Sequence, residues 1–144
     1  MAPRLRLVLL ALTAACGTRQ VPETRALASG GNEVEISRIL ESALLLDSRG
    51  QPADSLYAPY ATIIADGRLR RMPPRFAGVS ADGEVAITSS QLQARSTAAW
   101  GEVEYRWVSD HANRAQLGRA SFVLAPAQGR QGWWIVQAHS STAR

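Results

Sequence analysis

The sequence predicts a single α+β domain in which helices gather on one face of an antiparallel sheet. Its apolar residues recur with a period near 3.6 before residue 59 and with a period of two after it. The later runs are long and joined by short turns, which favours a meander of antiparallel strands. A chain of 144 residues is long enough for one domain with a core and too short for two.

The N-terminus predicts export. It reads MAPRLRLVLLALTAAC: two arginines, a short apolar run, two alanines and then Cys16. We interpret residues 1–15 as a signal peptide, because the apolar run is too short to remain as a membrane-spanning helix. A cysteine after small residues resembles the lipobox of bacterial lipoproteins, in which that thiol is lipidated, although Thr13 departs from the aliphatic residue usual there.

Cys16 is the only cysteine, which excludes intramolecular disulfides, thiolate metal sites and a cysteine nucleophile paired with histidine. A free thiol or an intermolecular bridge are the alternatives to lipidation. Residues 16–31 then form a lipid-anchored flexible tether, and residues 32–144 form the domain. The expected location is the bacterial cell envelope, outside the cytoplasm and attached to a membrane.

All sixteen basic residues are arginine, so a lysine Schiff base and a lysine general base are excluded. The net charge of +4 includes two arginines of the signal peptide. Because no concentrated basic face is visible and the chain is exported, we expect no nucleic-acid partner.

The first predicted helix begins at Asn32, with Glu35 completing a capping-box-like start. Its apolar stripe consists of Ile36, Ile39, Leu40, Ala43 and Leu44. A shorter helix is predicted over Ala53–Ala58, ended by Pro59.

The next two predicted strands flank Asp66 and Gly67, residues typical of a hairpin turn with two positive φ angles. Pro73 and Pro74 then interrupt the chain. The predicted strands are Ala61–Ala65, Arg68–Met72, Val85–Ala94, Ala99–Ser109, Gln116–Ala125 and Trp133–His139.

The final segment, GWWIVQAHSS, and the segment GRASFVL before it are similar to the last two strands of the nuclear transport factor 2-like superfamily. Within it, the chain from Asn32 to Thr142 most resembles the SnoaL-like and ketosteroid-isomerase-like members. The resemblance implies a strongly curved sheet forming a cone, whose mouth the helices cover. It also implies an apolar pocket inside the cone and, often, a homodimer. The fold hosts both enzymes and binding domains, so it does not by itself select a function.

Alternation along AWGEVEYRWVS separates an apolar face, which includes Tyr105 and Trp107, from a face with Glu102 and Glu104. We expect the apolar face to line the concave side and the glutamates to face solvent or a subunit interface. On the last strand, alternation gives Trp133, Ile135, Gln137 and His139 one shared face. The predicted ligand-binding residues are Tyr57, Tyr60, Tyr105, Trp107, Trp133, Gln137 and His139; core packing is the alternative for the aromatic ones.

No catalytic residue stands out. The candidates are His139 as a general base, with Tyr105 or Arg119 polarising a carbonyl. The alternative is a structural role, in which His139 hydrogen-bonds a backbone carbonyl or Ser141. Isomerases of the family pair a carboxylate base with an oxyanion donor, but here the nearest acids, Asp47 and Asp54, read equally well as helix-end residues.

His111 falls in a polar turn, and the pattern predicts neither a metal site nor a cofactor. Four arginines crowd around the Pro73–Pro74 pair: Arg68, Arg70, Arg71 and Arg75. They indicate either a soluble hairpin edge or a contact with anionic lipid headgroups or envelope polymers.

The sequence therefore predicts an envelope-anchored domain that binds a small apolar ligand or a partner protein in a cone-shaped pocket, without catalysis. The alternative is a SnoaL-like cyclase or isomerase with His139 as the base. A third hypothesis is a structural subunit of an envelope complex.

Overall fold

A computed structural model describes residues 29–111 and 114–143. The predicted signal peptide and Cys16 lie outside these residues. The described chain is α+β, as predicted: one long helix, α1 (Ser29–Ser48), and a single 3₁₀ turn (Asp54–Leu56) pack on one six-stranded sheet. The sheet is curved and open.

The strands are β1 (Tyr57–Ala65), β2 (Arg68–Leu69), β3 (Gly83–Ala94), β4 (Ala99–Ser109), β5 (Ala115–Pro126) and β6 (Trp133–Thr142). Their order across the sheet is β2-β1-β6-β5-β4-β3. The four strands from β3 to β6 form the predicted antiparallel meander.

The pairing of β1 with β6 is parallel, so the sheet is mixed rather than wholly antiparallel. This pairing joins segments more than seventy residues apart, for example Ile64 with His139. Because no turn connects the two strands directly, the local sequence does not predict their pairing. The Asp66-Gly67 turn between β1 and β2 is confirmed, with φ of 47° and 74°.

Two helix predictions need correction. α1 begins at Ser29, so Asn32 and Glu35 lie inside it and the last three residues of the predicted tether are helical. Glycines 30 and 31 lower helix propensity without stopping the helix. The second helix is only the 3₁₀ turn, because Pro59 forces the residue before it into extended backbone and β1 has already begun at Tyr57.

The core lies between α1 and the concave face of the sheet. The buried face of α1 supplies Ile36, Leu40 and Leu44, each at most 1% exposed. Alternation along β4 is strict, and its buried residues include Val103, Tyr105 and Trp107, as predicted. The exposed residues between them include Glu102 and Glu104.

The segment 73–82, between β2 and β3, closes the core. Phe76 packs on Tyr105 and Phe122, with ring centroids 6.4 and 5.6 Å apart. The Tyr105 hydroxyl donates to the carbonyl of Ala77 at 2.6 Å, and Trp107 Nε1 donates to the carbonyl of Ser80 at 3.0 Å. Both polar groups of these buried rings are therefore satisfied within the fold.

Gly118 is required beside Tyr105. The two residues are cross-strand partners, and a Cβ at Gly118 would overlap the Tyr105 ring. That ring is held by its hydrogen bond to Ala77, so it cannot withdraw at low cost.

We predict that Gly118→Ala lowers the free energy of unfolding by about 1–3 kcal/mol, the usual cost of overpacking a core. Urea denaturation of the domain measures it. Ser121→Ala, at an exposed position of the same strand, is the control and should change stability by less than about 0.5 kcal/mol. Equal stability of Gly118→Ala and the wild type would show that the Tyr105 ring is free to shift.

Candidate ligand-binding site

The concave side at Tyr105 and Trp107 is filled by protein. Both side chains are at most 5% exposed, and Phe76 with the apolar residues of α1 packs over them. Trp133, also predicted to bind ligand, is 7% exposed in the same core. These three rings pack in the hydrophobic core of this structure, and their contact with a ligand stays a prediction.

Gln137 and His139 do not share the face of Trp133 and Ile135, which corrects the alternation predicted for β6. Val136 is an extra residue in the pairing with β5, where Gln137 faces Val123 but Ile135 faces Leu124. Such a bulge reverses the alternation beyond it. Ala138 and Ser140 are consequently buried, and Gln137 and His139 are exposed.

The three catalytic candidates do not converge. Arg119 is 63% exposed and pairs with Glu104 at 2.6 Å. Arg119 and Tyr105 border one cavity of about 430 Å³, but His139 is not among its lining residues. The Tyr105 hydroxyl is already engaged with Ala77.

A buried acid lies under the segment 73–82: Asp47, which the sequence offered both as a candidate acid and as a helix-end residue. Asp47 is 0% exposed, and its Oδ2 accepts the backbone N–H of Arg75 and, at 3.0 Å, that of Phe76. Asp47 thereby ties the end of α1 to the chain that covers the core.

Arg75 is buried, so it does not belong with the exposed arginines of the hairpin edge. Its side chain is 5% exposed, and Nη2 lies 2.5 Å from Oδ1 of Asp54. Its Cζ lies 5.0 Å from the centroid of the Tyr57 ring, in a cation–π contact. The Asp54 carboxylate and the Tyr57 ring contact this guanidinium and offset its desolvation, and the charge of Asp47 adds an attraction without contact.

Three buried polar atoms in this cluster have no hydrogen-bond partner among the described residues: Asp47 Oδ1, the Tyr57 hydroxyl and Arg75 Nη1. The Asp47 oxygen is an acceptor, the Arg75 nitrogen is a donor, and the Tyr57 hydroxyl is both. Buried polar groups are rarely left unpaired in folded proteins, so we define these residues with Asp54 as the polar cluster of a candidate site.

Burial raises the pKa of Asp47 above its usual value of 3.8, against the opposing effect of the two backbone N–H groups and of Arg75. Burial also raises the pKa of the Tyr57 hydroxyl, and the charge of Asp47 adds to that rise. Tyr57 therefore remains a protonated donor at neutral pH.

A cleft of about 710 Å³ opens beside the polar cluster. It forms where β1 separates from β6, since the pairing advances five residues on β1, from Tyr57 to Thr62, but only two on β6. The hairpin pairing of β1 and β2 continues one residue further beside it, with the N–H of Arg70 donating to the carbonyl of Ile63 at 2.8 Å. The residues that line this β1 cleft are Asp54, Tyr57, Ala58, Pro59, Tyr60, Ala61, Thr62, Ile63, Leu69, Arg70, Arg71 and Arg75.

Of the predicted ligand-binding residues, the β1 cleft brings together Tyr57 and Tyr60. Tyr57 is 7% exposed at its wall, and Tyr60 is 64% exposed. His111 is exposed, and its backbone N–H donates to Ser109 Oγ at 3.3 Å. Across residues 29–111 and 114–143, no three side chains of His, Cys, Asp or Glu gather as metal ligands. Within the same ranges, no helix is both long and apolar enough to cross a membrane.

Comparison with solved structures identifies the fold. A nuclear transport factor 2-like superfamily protein from Salmonella enterica serovar Typhimurium aligns with 79% of this chain and 92% of its own, at a TM-score of 0.65 and 17% identity. The chain has the nuclear transport factor 2-like fold.

Two further structures agree. A protein of unknown function with a cystatin-like fold from Nostoc punctiforme covers 79% of this chain and 92% of its own, at a TM-score of 0.62 and 7% identity. A nuclear transport factor 2-like protein of unknown function in nutrient uptake from Rhodospirillum rubrum covers 75% of this chain and 95% of its own. Its TM-score is 0.55 and its sequence identity is 17%. No protein-family model and no curated protein matches the sequence. Similarity at this level of sequence identity establishes the fold. Any inference about activity must come from the residues of the candidate site.

We predict that replacing Asp47 by Asn removes a pH-dependent loss of stability. Because the pKa of Asp47 is higher in the folded chain than in the unfolded chain, the native state binds more protons between the two values. The stability that Asp47 contributes is therefore greatest below pH 3.8 and falls as pH rises through its native pKa.

Relative to the wild type, Asp47→Asn should gain stability as pH increases across that window. Urea denaturation at several pH values measures the difference, and carbon NMR of the Asp47 carboxyl in the folded wild type locates the native pKa. Parallel stability profiles for the two proteins would contradict a raised pKa.

Proposed function

We propose that this protein is a non-catalytic ligand-binding domain, held at the cell envelope through lipidated Cys16. Its ligand is a small molecule with an apolar body and one polar group. The observation that carries the proposal is the β1 cleft of about 710 Å³ with the polar cluster at its wall. A cleft of this size with a few fixed polar groups is typical of a small-molecule site.

The walls supply both kinds of contact. Tyr60 and Leu69 present exposed apolar surface, 64% and 57% accessible, at the cleft. Arg75 and Tyr57 are buried, so their orientation is fixed before a ligand arrives. Fixed polar groups reduce the ordering cost of binding.

The envelope location rests on the sequence of residues 1–16. It fits a binding role, because a tethered domain meets small molecules that enter or leave the envelope. The neighbour from Rhodospirillum rubrum described in connection with nutrient uptake is consistent with such a role.

A second candidate function is an enzyme of the SnoaL-like or ketosteroid-isomerase-like kind. The observation that favours it is a buried acid, Asp47, whose pKa is raised by burial, near the protonated donor Tyr57. His139 was the base in the sequence-based hypothesis, but its exposed position supplies no enclosed site. Partner binding and a homodimer through the exposed sheet face stay predictions.

The cleft is tested by native mass spectrometry of the protein purified from its own envelope. We expect a retained small molecule in the wild type and none in Thr62→Trp, because an indole at this exposed cleft position fills the space. Ser121→Trp, exposed on β5 and outside the cleft, is the matched control and should keep the molecule.

An empty wild-type domain, or a molecule retained in Thr62→Trp, would contradict the proposal. Conversion of the retained compound by the wild type, lost in Asp47→Asn and kept in His139→Ala, would replace binding by the enzymatic function with Asp47 as base. If conversion of the compound is lost only in His139→Ala, the result would favour the sequence-based hypothesis that His139 is the general base.

The anchor is tested by Cys16→Ala expressed with its own signal peptide. We expect the wild type in the detergent-soluble membrane fraction and the variant in the soluble extract, because one thiol carries the lipid. Fractionation followed by immunoblotting measures this. A variant still bound to the membrane would contradict anchoring through Cys16.

A further inference from the structure

We infer that the β1 cleft selects ligands that carry a carboxylate, and that Asp54 occupies the carboxylate's place on Arg75 when no ligand is bound. This inference rests on the proposed function and adds the chemical class of the ligand. It comes from the charges around the cleft and from the unequal exposure of the two partners in the Arg75–Asp54 pair.

The charge of the cleft is unbalanced. Three arginines line it, Arg70, Arg71 and Arg75, against one lining carboxylate, Asp54. Among the described residues, Arg70 and Arg71 form no salt bridge, since the pairs found there are Arg75–Asp54 and Arg119–Glu104. A cleft with surplus guanidinium charge attracts an anion.

The pair between Arg75 and Asp54 is asymmetric. The Arg75 side chain is 5% exposed, whereas that of Asp54 is 77% exposed. A single contact, from Nη2 to Oδ1 at 2.5 Å, joins them, and Nη1 has no partner. A guanidinium is able to hold a carboxylate with two parallel hydrogen bonds, so this arrangement uses half of its capacity.

Arg75 is fixed and Asp54 is replaceable. The backbone of Arg75 is bound to buried Asp47, and its guanidinium lies over the Tyr57 ring. Asp54 is in a 3₁₀ turn of three residues that has no buried residue. A ligand carboxylate is able to displace an exposed side chain at low cost, while the guanidinium keeps its position.

The rest of the cleft suits the body of such a ligand. Beyond the arginines, the lining includes the apolar or aromatic residues Pro59, Tyr60, Ile63 and Leu69. An acid with an aromatic or aliphatic body matches this arrangement, with its carboxylate toward Arg75 and the rim arginines.

The test uses three probes with one ring system: 2-naphthoate, neutral 2-naphthamide and 2-naphthyl phosphate. Their affinities for the folded domain are measured by ligand-observed NMR. We expect naphthoate to bind roughly tenfold more tightly than naphthamide, the gain of a charge-assisted hydrogen bond. The double variant Arg70→Gln with Arg71→Gln removes the rim charge but keeps Arg75, so it should reduce that preference in part and leave naphthamide binding unchanged.

Asp54→Asn gives the sharpest outcome. This substitution removes the competing carboxylate and keeps a side-chain oxygen that accepts a hydrogen bond from Arg75. The affinity for naphthoate should therefore rise several-fold, while the affinity for naphthamide should not change. Arg68→Gln, exposed on β2 and outside the lining, is the matched control and should bind naphthoate as the wild type does.

The outcomes bear differently on this inference and on the proposed function. Equal binding of naphthoate and naphthamide, lost in Thr62→Trp, would keep the cleft as a binding site and overturn carboxylate selection. Absence of binding by any probe up to millimolar concentration would count against both. Binding of the phosphate alone, or weaker naphthoate binding in Asp54→Asn, would overturn the carboxylate as the selected group.

Discussion

The buried carboxylate of Asp47 is the contact on which the rest of the domain depends. It lies at the end of α1 and accepts two backbone N–H groups, those of Arg75 and Phe76. No other hydrogen bond described in the structure joins α1 to the segment that covers the core. Without this acceptor, two N–H groups would be buried unpaired, at a cost of about 1–3 kcal/mol each.

This one contact positions both the core and the candidate site. Toward the sheet, it places Phe76 against Tyr105 and Phe122 and allows Ala77 to bond with Tyr105 and Ser140. Toward solvent, the same backbone presents the Arg75 guanidinium to Tyr57 and Asp54 at the wall of the β1 cleft. The core packing around Phe76 and the position of Arg75 at the β1 cleft therefore depend on a single buried acid, whose oxygen satisfies two buried N–H groups that an apolar residue would leave unpaired.

The sequence predicted what is local and periodic. The strict alternation of β4 and the positive φ angles of Asp66 and Gly67 follow from rules about neighbouring residues, and the structure confirms both. The parallel pairing of β1 with β6 and the bulge at Val136 have no local signature, and the bulge sends His139 to the exposed face. Asp47 and Arg75 are twenty-eight residues apart. Neither identity nor spacing indicates that the two are buried together, so the sequence named Tyr57 and Tyr60 as ligand-binding residues, and Asp47, Asp54 and Arg75 as candidates for other roles, without joining them in one site.

Native-state hydrogen exchange at the amides of Arg75 and Phe76 tests the central claim most directly, because both donate to Asp47. If this carboxylate fixes the segment, both amides exchange only when the whole domain unfolds, with protection equal to that of the buried β4 amides. Exchange as fast as in an exposed loop, while β4 stays protected, would contradict the account. The wall of the β1 cleft would then lack the fixed Arg75 on which the proposed ligand binding rests.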